Sequence, residues 1–286
     1  MAEIRIATSA FTAAGWAGSF YPKGMKSTEY LSFYATRFDA VELDNTFYAT
    51  PALSTVKGWY AKTPPGFLFS AKVPQVITHD KVLVGCDDDL KNFLTAMDAL
   101  DEKLGPLLFQ FGKFKNSEFK TQAEFLVRLK PFLKKLPKNY RFAVEIRNKD
   151  WLDHLFVDLL REHGVALALI DQSWMPRPWE LKNDLDLITA DFTYVRWLGD
   201  RKGIEEKTKT WDKVIVDRQA DLFEWVGLLK KVHERRIMIL AFANNHYAGN
   251  GPATVELFRS LWGPEALPKI QAPPQTGQQS SLFDRS

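Results

Sequence analysis

Short apolar runs recur along the chain, each separated from the next by a longer stretch with mixed polarity. The runs fall at 3–9 (EIRIATS), 40–45 (AVELDN), 67–73 (FLFSAKV), 106–111 (PLLFQF), 141–147 (RFAVEIR), 165–171 (VALALID), 192–198 (FTYVRWL) and 237–244 (IMILAFAN). Runs of this length, rich in β-branched and aromatic residues, read as strands buried on both faces. Helical periodicity occupies 28–37, 53–62, 87–101, 118–135, 151–163, 217–234 and 252–262. Alternation of the two patterns predicts βα units around a parallel sheet. Eight strands in a chain of 286 residues predict a TIM-type (β/α)8 barrel, an α/β fold in one domain over residues 1–263. An open doubly wound sheet is the alternative, but no G-x-G-x-x-G follows the first run.

Two of the runs carry acids where a buried strand would not. Strand side chains alternate faces, so AVELD places Ala40, Glu42 and Asp44 on one side and Val41 and Leu43 on the other. AVEIR repeats the arrangement, with Ala143, Glu145 and Arg147 opposite Val144 and Ile146. In a barrel one face of each strand looks inward, so these charges are expected inside, near the carboxyl ends of the strands, where barrel sites lie. Polar groups end other strands too: Thr8, Ser9, Asn45, Lys72, Gln110, Asp171, Arg196, Asn244 and Asn245.

Composition narrows the functional classes. The chain is 45% hydrophobic and 26% charged, as in ordinary soluble domains. With 38 Lys+Arg against 35 Asp+Glu, the net charge of +3 does not demand a nucleic-acid partner, although a pI near 8.7 permits one. The single cysteine, Cys86, excludes a disulfide framework and a cysteine-rich zinc site. No apolar run is long enough to span a bilayer, and MAEIRIATSAF lacks the layout of a signal peptide, so a cytoplasmic location and no membrane partner are expected.

Several chemistries fit the strand-end residues. Glu42 and Glu145 are the candidate catalytic residues, as an acid/base pair of the kind that cleaves glycosides, or as ligands. The bland alternative is a self-neutralising network of Glu42, Glu145, Lys72, Arg147 and Arg196, because buried charges need partners. The sequence requires no cofactor. A hard divalent cation held by Glu42, Asp44, Glu145 and Asp171 is compatible with it. Only His79 and His246 of the five histidines follow strands, which is thin material for a transition metal, and His79 reads more simply as a loop residue capping backbone groups. A small anionic or phosphate-bearing ligand is the most economical reading. Lys72, Arg147 and Arg196 would converge on it, with Asn45, Gln110, Asp171, Asn244 and Asn245 as further substrate-binding residues. GNGPAT (249–254) adds backbone N–H groups at a helix start. A hydrolase of phosphate-containing substrates linked to nucleic-acid metabolism is the enzymatic version of this reading. The aromatics Phe11, Trp16, Tyr21, Phe47, Tyr48, Trp151, Trp174, Trp179, Trp197 and Tyr247 are stacking platforms or, more simply, core and lid. Cys86, set among acids in VGCDDD, is no nucleophile.

Taken together, VELDNTFYATP, TPPGFLFSAKVPQVITHD, LGPLLFQF, AVEIRNKDW, YVRWLGD and FANNHYAGNGPATVELF resemble the YecE-like family, domain of unknown function 72. The resemblance spans roughly residues 4–262 and implies a TIM-barrel-like fold without an activity to carry over. The chain departs from the family pattern at two places. Asn148 stands where a histidine often follows AVEIR, and Leu198 precedes Gly199 where a histidine–glycine pair is common.

After SLWG the composition turns to Pro, Gln, Ser and Gly, so 264–286 is expected to be a flexible tail. Within it QSSLF (279–283) resembles the short peptide by which bacterial replication and repair proteins dock on the DNA sliding clamp. Gln279 would supply hydrogen bonds while Leu282 and Phe283 fill an apolar pocket. A non-catalytic module recruited to the clamp is therefore the alternative function.

Overall fold

The computed structural model describes residues 3–181 and 184–263. Eight parallel strands form one sheet: β1 (Ile4–Thr8), β2 (Ala40–Leu43), β3 (Leu68–Lys72), β4 (Leu104–Gln110), β5 (Phe142–Glu145), β6 (Ala166–Gln172), β7 (Phe192–Gly199) and β8 (Met238–Ala243). Their order is β1-β8-β7-β6-β5-β4-β3-β2, with every pair parallel. The last and first members of that order lie side by side, tied at the amino-terminal end where the Arg5 guanidinium donates to the carbonyl of Asp39 at 2.8 Å. The sheet is thus a nearly closed barrel, as the strand–helix alternation predicts. The strands are buried on both faces, which is why they read as continuous apolar runs.

The helices around it are α1 (Tyr30–Tyr34), α2 (Leu53–Ala61), α3 (Asp87–Met97), α4 (Gln122–Lys135), α5 (His154–Glu162), α6 (Arg201–Glu205), α7 (Gln219–Glu234), α8 (Asn245–Ala248) and α9 (Gly251–Trp262). Their starts are written locally. Thr121 accepts from Glu124 N, Asp153 from Phe156 N and Asn250 from Ala253 N, each supplying an acceptor to an otherwise unpaired first-turn donor. Cys86 precedes α3 and is buried. Burial, with Asp87 and Asp89, raises its thiol pKa, which disfavours the thiolate.

Several boundaries differ from the sequence reading. The segment 28–37 splits into a 3-10 turn (Ser27–Glu29) and the short α1. The segment 151–163 likewise begins with a separate 3-10 turn at Lys149–Trp151. β5 stops at Glu145, so Arg147 lies beyond the strand rather than in it. Four of the ten candidate platform aromatics are core. Trp16, Tyr21, Trp197 and Tyr247 are buried, and Trp197 packs outward against Trp225 and Phe258. Tyr48 and Trp174 are exposed.

Candidate functional site

Glu42 on β2, Glu145 on β5 and Arg196 on β7 meet inside the barrel, all three buried. The Arg196 guanidinium donates through Nε to Glu42 Oε2 at 2.9 Å, through Nη2 to Glu42 Oε1 at 2.8 Å and through Nη1 to Glu145 Oε2 at 2.6 Å. Tyr194, two residues earlier on β7 and so on the same face, donates its hydroxyl to Glu42 Oε2 at 2.6 Å. Arg147 Nε closes the other end on Glu145 Oε1 at 2.7 Å. The self-neutralising network that buried charge demands is therefore present, with one fork serving two carboxylates. Burial alone would push the Glu145 carboxyl up, but Arg196 and Arg147 outweigh it and hold it down at about 2. A carboxylate held this firmly ionised is a poor general acid.

Lys72 stands apart from this network. It is 9% exposed, and its ammonium lies 4.1 Å from the centroid of the Phe47 ring with no hydrogen-bond acceptor among the described residues. Burial, reinforced by the Arg196 charge, lowers its pKa to about 8 against the pull of Glu42, Glu145 and Asp44. The same Phe47 ring meets the His79 imidazole nearly perpendicularly, with 5.0 Å between centroids. His79 follows β3 in a π-helical turn, Val76–Asp80, and its Nδ1 lies 2.8 Å from the Thr78 hydroxyl. Its Nε2 has no partner among the described residues and faces Gly112, where a Cβ would come to 3.5 Å. Burial, then the charges of Lys72 and Arg147, lower the His79 pKa and favour the neutral ring. Asp44, half-buried at the end of β2, has its pKa raised by burial and by Glu42. Arg147 is half-buried and uses only Nε on Glu145, leaving both Nη groups undirected. Lys72, His79, Arg147, Phe47 and Asp44 thus line one side of the barrel mouth, above β2 to β5.

The other sequence candidates are placed elsewhere. Asp171 pairs in register with Trp197, on the face opposite Ile170 and Arg196, and looks out to the helices. There it accepts from Trp225 Nε1 and the Tyr247 hydroxyl, each at 2.9 Å. The strand alternation that puts Arg196 inside puts Asp171 outside. Gln110 is buried and donates to the carbonyl of Phe111 at 2.9 Å, while Asn45 is exposed in the turn after β2. Asn244 caps α8 through His246 N and donates to the Ser9 hydroxyl. Asn245 Oδ1 accepts from Gly251 N and Trp16 Nε1. At the GNGPAT helix start the side chains of Asn245 and Asn250 take the N–H groups of Gly251 and Ala253, Thr254 N is bonded to the Asn250 carbonyl, and Pro252 has no N–H to offer an anion. A cation among Glu42, Asp44, Glu145 and Asp171 does not fit either. Arg196 sits between the two glutamates, Asp171 points away, and no group of three or more His, Cys, Asp or Glu among the described residues is arranged to hold a metal. The QSSLF residues Gln279, Leu282 and Phe283 lie outside the described residues.

A family model described as "Protein of unknown function DUF72" matches residues 5–279. The chain belongs to the DUF72 family. Among its relatives are the UPF0759 protein YecE of Escherichia coli strain K12, 28% identical over 88% of this chain and 92% of that one, and the UPF0759 protein YunF of Bacillus subtilis strain 168, 25% identical over 85% and 92%. The crystal structure of a DUF72 family protein from Thermotoga maritima superposes with a TM-score of 0.67 at 28% identity, covering 89% of this chain and 96% of that one. A D-psicose 3-epimerase superposes at 0.51 with 11% identity over 91% and 90%, which shows a shared barrel fold and nothing more. No helix among the described residues is long and apolar enough to cross a membrane.

The two departures from the DUF72 pattern have structural roles here. Asn148 grips the loop after β4 from both sides, accepting from Phe114 N at 2.9 Å and donating to Phe114 O at 3.1 Å. Leu198 packs with Ile170 and Met175 in a small apolar cluster. Gly199 has a reason to be glycine: its φ is +69°, and a Cβ there would lie 2.6 Å from the His246 carbonyl oxygen. His79 is the site residue that strand-end reasoning did not select. Its only signal was position, directly after β3 in ITHD.

Proposed function

We propose that the barrel mouth beside β2 to β5 binds a small anionic ligand, with the phosphate or carboxylate group taken by the Lys72 ammonium and the two unengaged Nη groups of Arg147. The observation that supports this most directly is the Lys72 ammonium: nearly buried, with three donors and no acceptor among the described residues. A buried donor without an acceptor is costly, and an incoming anion would satisfy it. In this reading Arg196 is not an anion receptor, since Glu42 and Glu145 already take its donors. The two glutamates form the frame that holds Arg147 and the floor of the site in place. Hydrolysis of a phosphate-bearing substrate, including one derived from nucleic acid, is the reaction class such a site would serve, with His79 Nε2 as the neutral base.

A thermal-shift titration with inorganic phosphate, acetate, sugar phosphates and nucleoside monophosphates tests the reading. At least one anion should raise Tm in a saturable way in the wild type and fail to do so in Lys72→Met. An equal shift in both proteins would remove Lys72 from the site.

The alternative function, recruitment to the sliding clamp, rests on QSSLF alone. Removal of 279–283 should abolish binding to a purified bacterial clamp while leaving anion binding untouched. No clamp binding by the full chain would end it.

A further inference from the structure

Resting on the anion-binding reading above, we propose that Lys72 is the nucleophile of an imine-forming site, and that the ligand is a small anionic carbonyl compound such as a 2-oxo carboxylate or a phosphorylated ketone. The argument begins with position. Lys72 ends β3 at the carboxyl-terminal mouth of the barrel. Its nitrogen lies against the face of Phe47, which holds it without accepting a hydrogen bond. The two guanidinium groups beside it are tied to carboxylates: buried Arg196 to Glu42 and Glu145, and half-buried Arg147 through Nε to Glu145. Lys72 is the amine left with its donors, and on deprotonation its lone pair, uncommitted among the described residues. Burial and the neighbouring Arg196 favour the neutral amine, which is the reactive form.

Neighbouring residues supply what the reaction needs. The ammonium first gives a proton to the imidazole of His79, which packs nearly perpendicular to the same Phe47 ring at 5.0 Å between centroids. The amine nitrogen then attacks the carbonyl carbon. A C–N bond forms, the π pair moves to oxygen, and a proton shifts from nitrogen to that oxygen to give a carbinolamine. The imidazolium returns its proton to the hydroxyl, the C–O bond breaks, and water leaves. Ammonium plus carbonyl becomes iminium plus water, with no oxidant and no net proton. The positive charge stays where it was, so the electrostatic balance with Asp44, Glu42 and Glu145 is preserved. Arg147 holds the anionic group of the ligand by its free Nη pair.

Borohydride trapping tests the step. The full chain is incubated with pyruvate, or with dihydroxyacetone phosphate, and sodium borohydride is added. Intact mass and peptide mapping then locate the reduced adduct. The expected result is one adduct on Lys72, formed at least about tenfold faster than on any exposed lysine and absent from Lys72→Arg. Whichever probe labels identifies a carboxylate or a phosphate ligand. No adduct on Lys72, or labelling spread evenly over surface lysines, overturns the proposal. Peptide mapping of the wild type decides this even if a variant fails to fold. The two readings separate cleanly. Inorganic phosphate or acetate raising Tm without any trapping keeps the anion site and removes the imine. Trapping of Lys72 that neither anion slows, with no Tm shift from either, keeps the imine and removes the anion site.

Discussion

Arg196 and Glu42 form a two-point ion pair inside the barrel, Nη2 to Oε1 at 2.8 Å and Nε to Oε2 at 2.9 Å, although 154 residues separate them. Their strands β7 and β2 are not neighbours: β8 and β1 lie between them in the barrel order. The third member, Glu145, reaches the same guanidinium from β5 on its other side. One fork therefore clamps three non-adjacent strands, and its removal leaves Glu42 without its ion-pair partner and Glu145 with Arg147 alone.

Arg196→Met should accordingly destabilise the fold by about 3–5 kcal/mol, the usual cost of orphaning a buried charge. Urea unfolding of Arg196→Met beside the triple variant Glu42→Gln/Glu145→Gln/Arg196→Met checks the cause. Neutralising both acids should recover part of the loss, since the penalty belongs to the stranded carboxylates. Equal stabilities would show that the charges are not what is lost.

Acid should attack the same cluster. The Glu145 pKa lies at about 2, below its ordinary 4.5, because Arg196 and Arg147 outweigh the effect of burial. A depressed carboxylate contributes stability that is present above pH 4.5 and is lost as pH falls through 2. The size is on the order of 3 kcal/mol. Unfolding free energies measured between about pH 5 and about pH 2.5 should fall more steeply in the wild type than in Glu145→Gln; parallel curves would assign the acid sensitivity to other groups.

Alkali acts in the opposite sense through Lys72. Its pKa lies at about 8 in the fold against 10.5 for a free lysine, so the unfolded chain holds the proton more tightly between those values. Stability therefore rises with pH across that window, as the folded state sheds a buried charge. Below pH 8 the penalty is fully present. The gain of Lys72→Met over wild type should shrink by on the order of 2–3 kcal/mol between about pH 8 and about pH 10. A pH-independent difference would mean that the amine is solvated.

Gly199→Ala places a methyl 2.6 Å from the His246 carbonyl oxygen and 2.7 Å from the Tyr247 Cα, at φ +69°. Both contacts are backbone, so neither can swing aside. A loss of about 2 kcal/mol or more and disturbance of α8 are expected. Thermal denaturation reads it, and an unchanged Tm would show that the β7–α6 junction shifts freely.

The reading of the chain succeeded where one residue's neighbours along the chain decide its environment. Period-two alternation in AVELD and AVEIR placed Glu42 and Glu145 on the interior faces, and the run-and-helix alternation set the barrel. It missed where spacing is silent about direction. Asp171 ends a strand as the other candidates do, yet its register with Trp197 turns it outward onto Trp225 and Tyr247. His79 lay in a loop, and only its packing on the Phe47 ring and against Gly112 gives it a role.

By itself the sequence determined the element order, the barrel and the presence of buried acids and bases at strand ends, because hydrophobic periodicity is a local property of the chain. Tertiary structure alone decided which charges neutralise one another. Arg196 has five donors and could have met any of several carboxylates. Closure of the barrel brings it to Glu42 and Glu145, and the same closure leaves Lys72 against Phe47 with none. Charge pairing depends on through-space distances of a few ångströms between residues tens to more than a hundred positions apart, and that information exists only once the strands are in order around the axis.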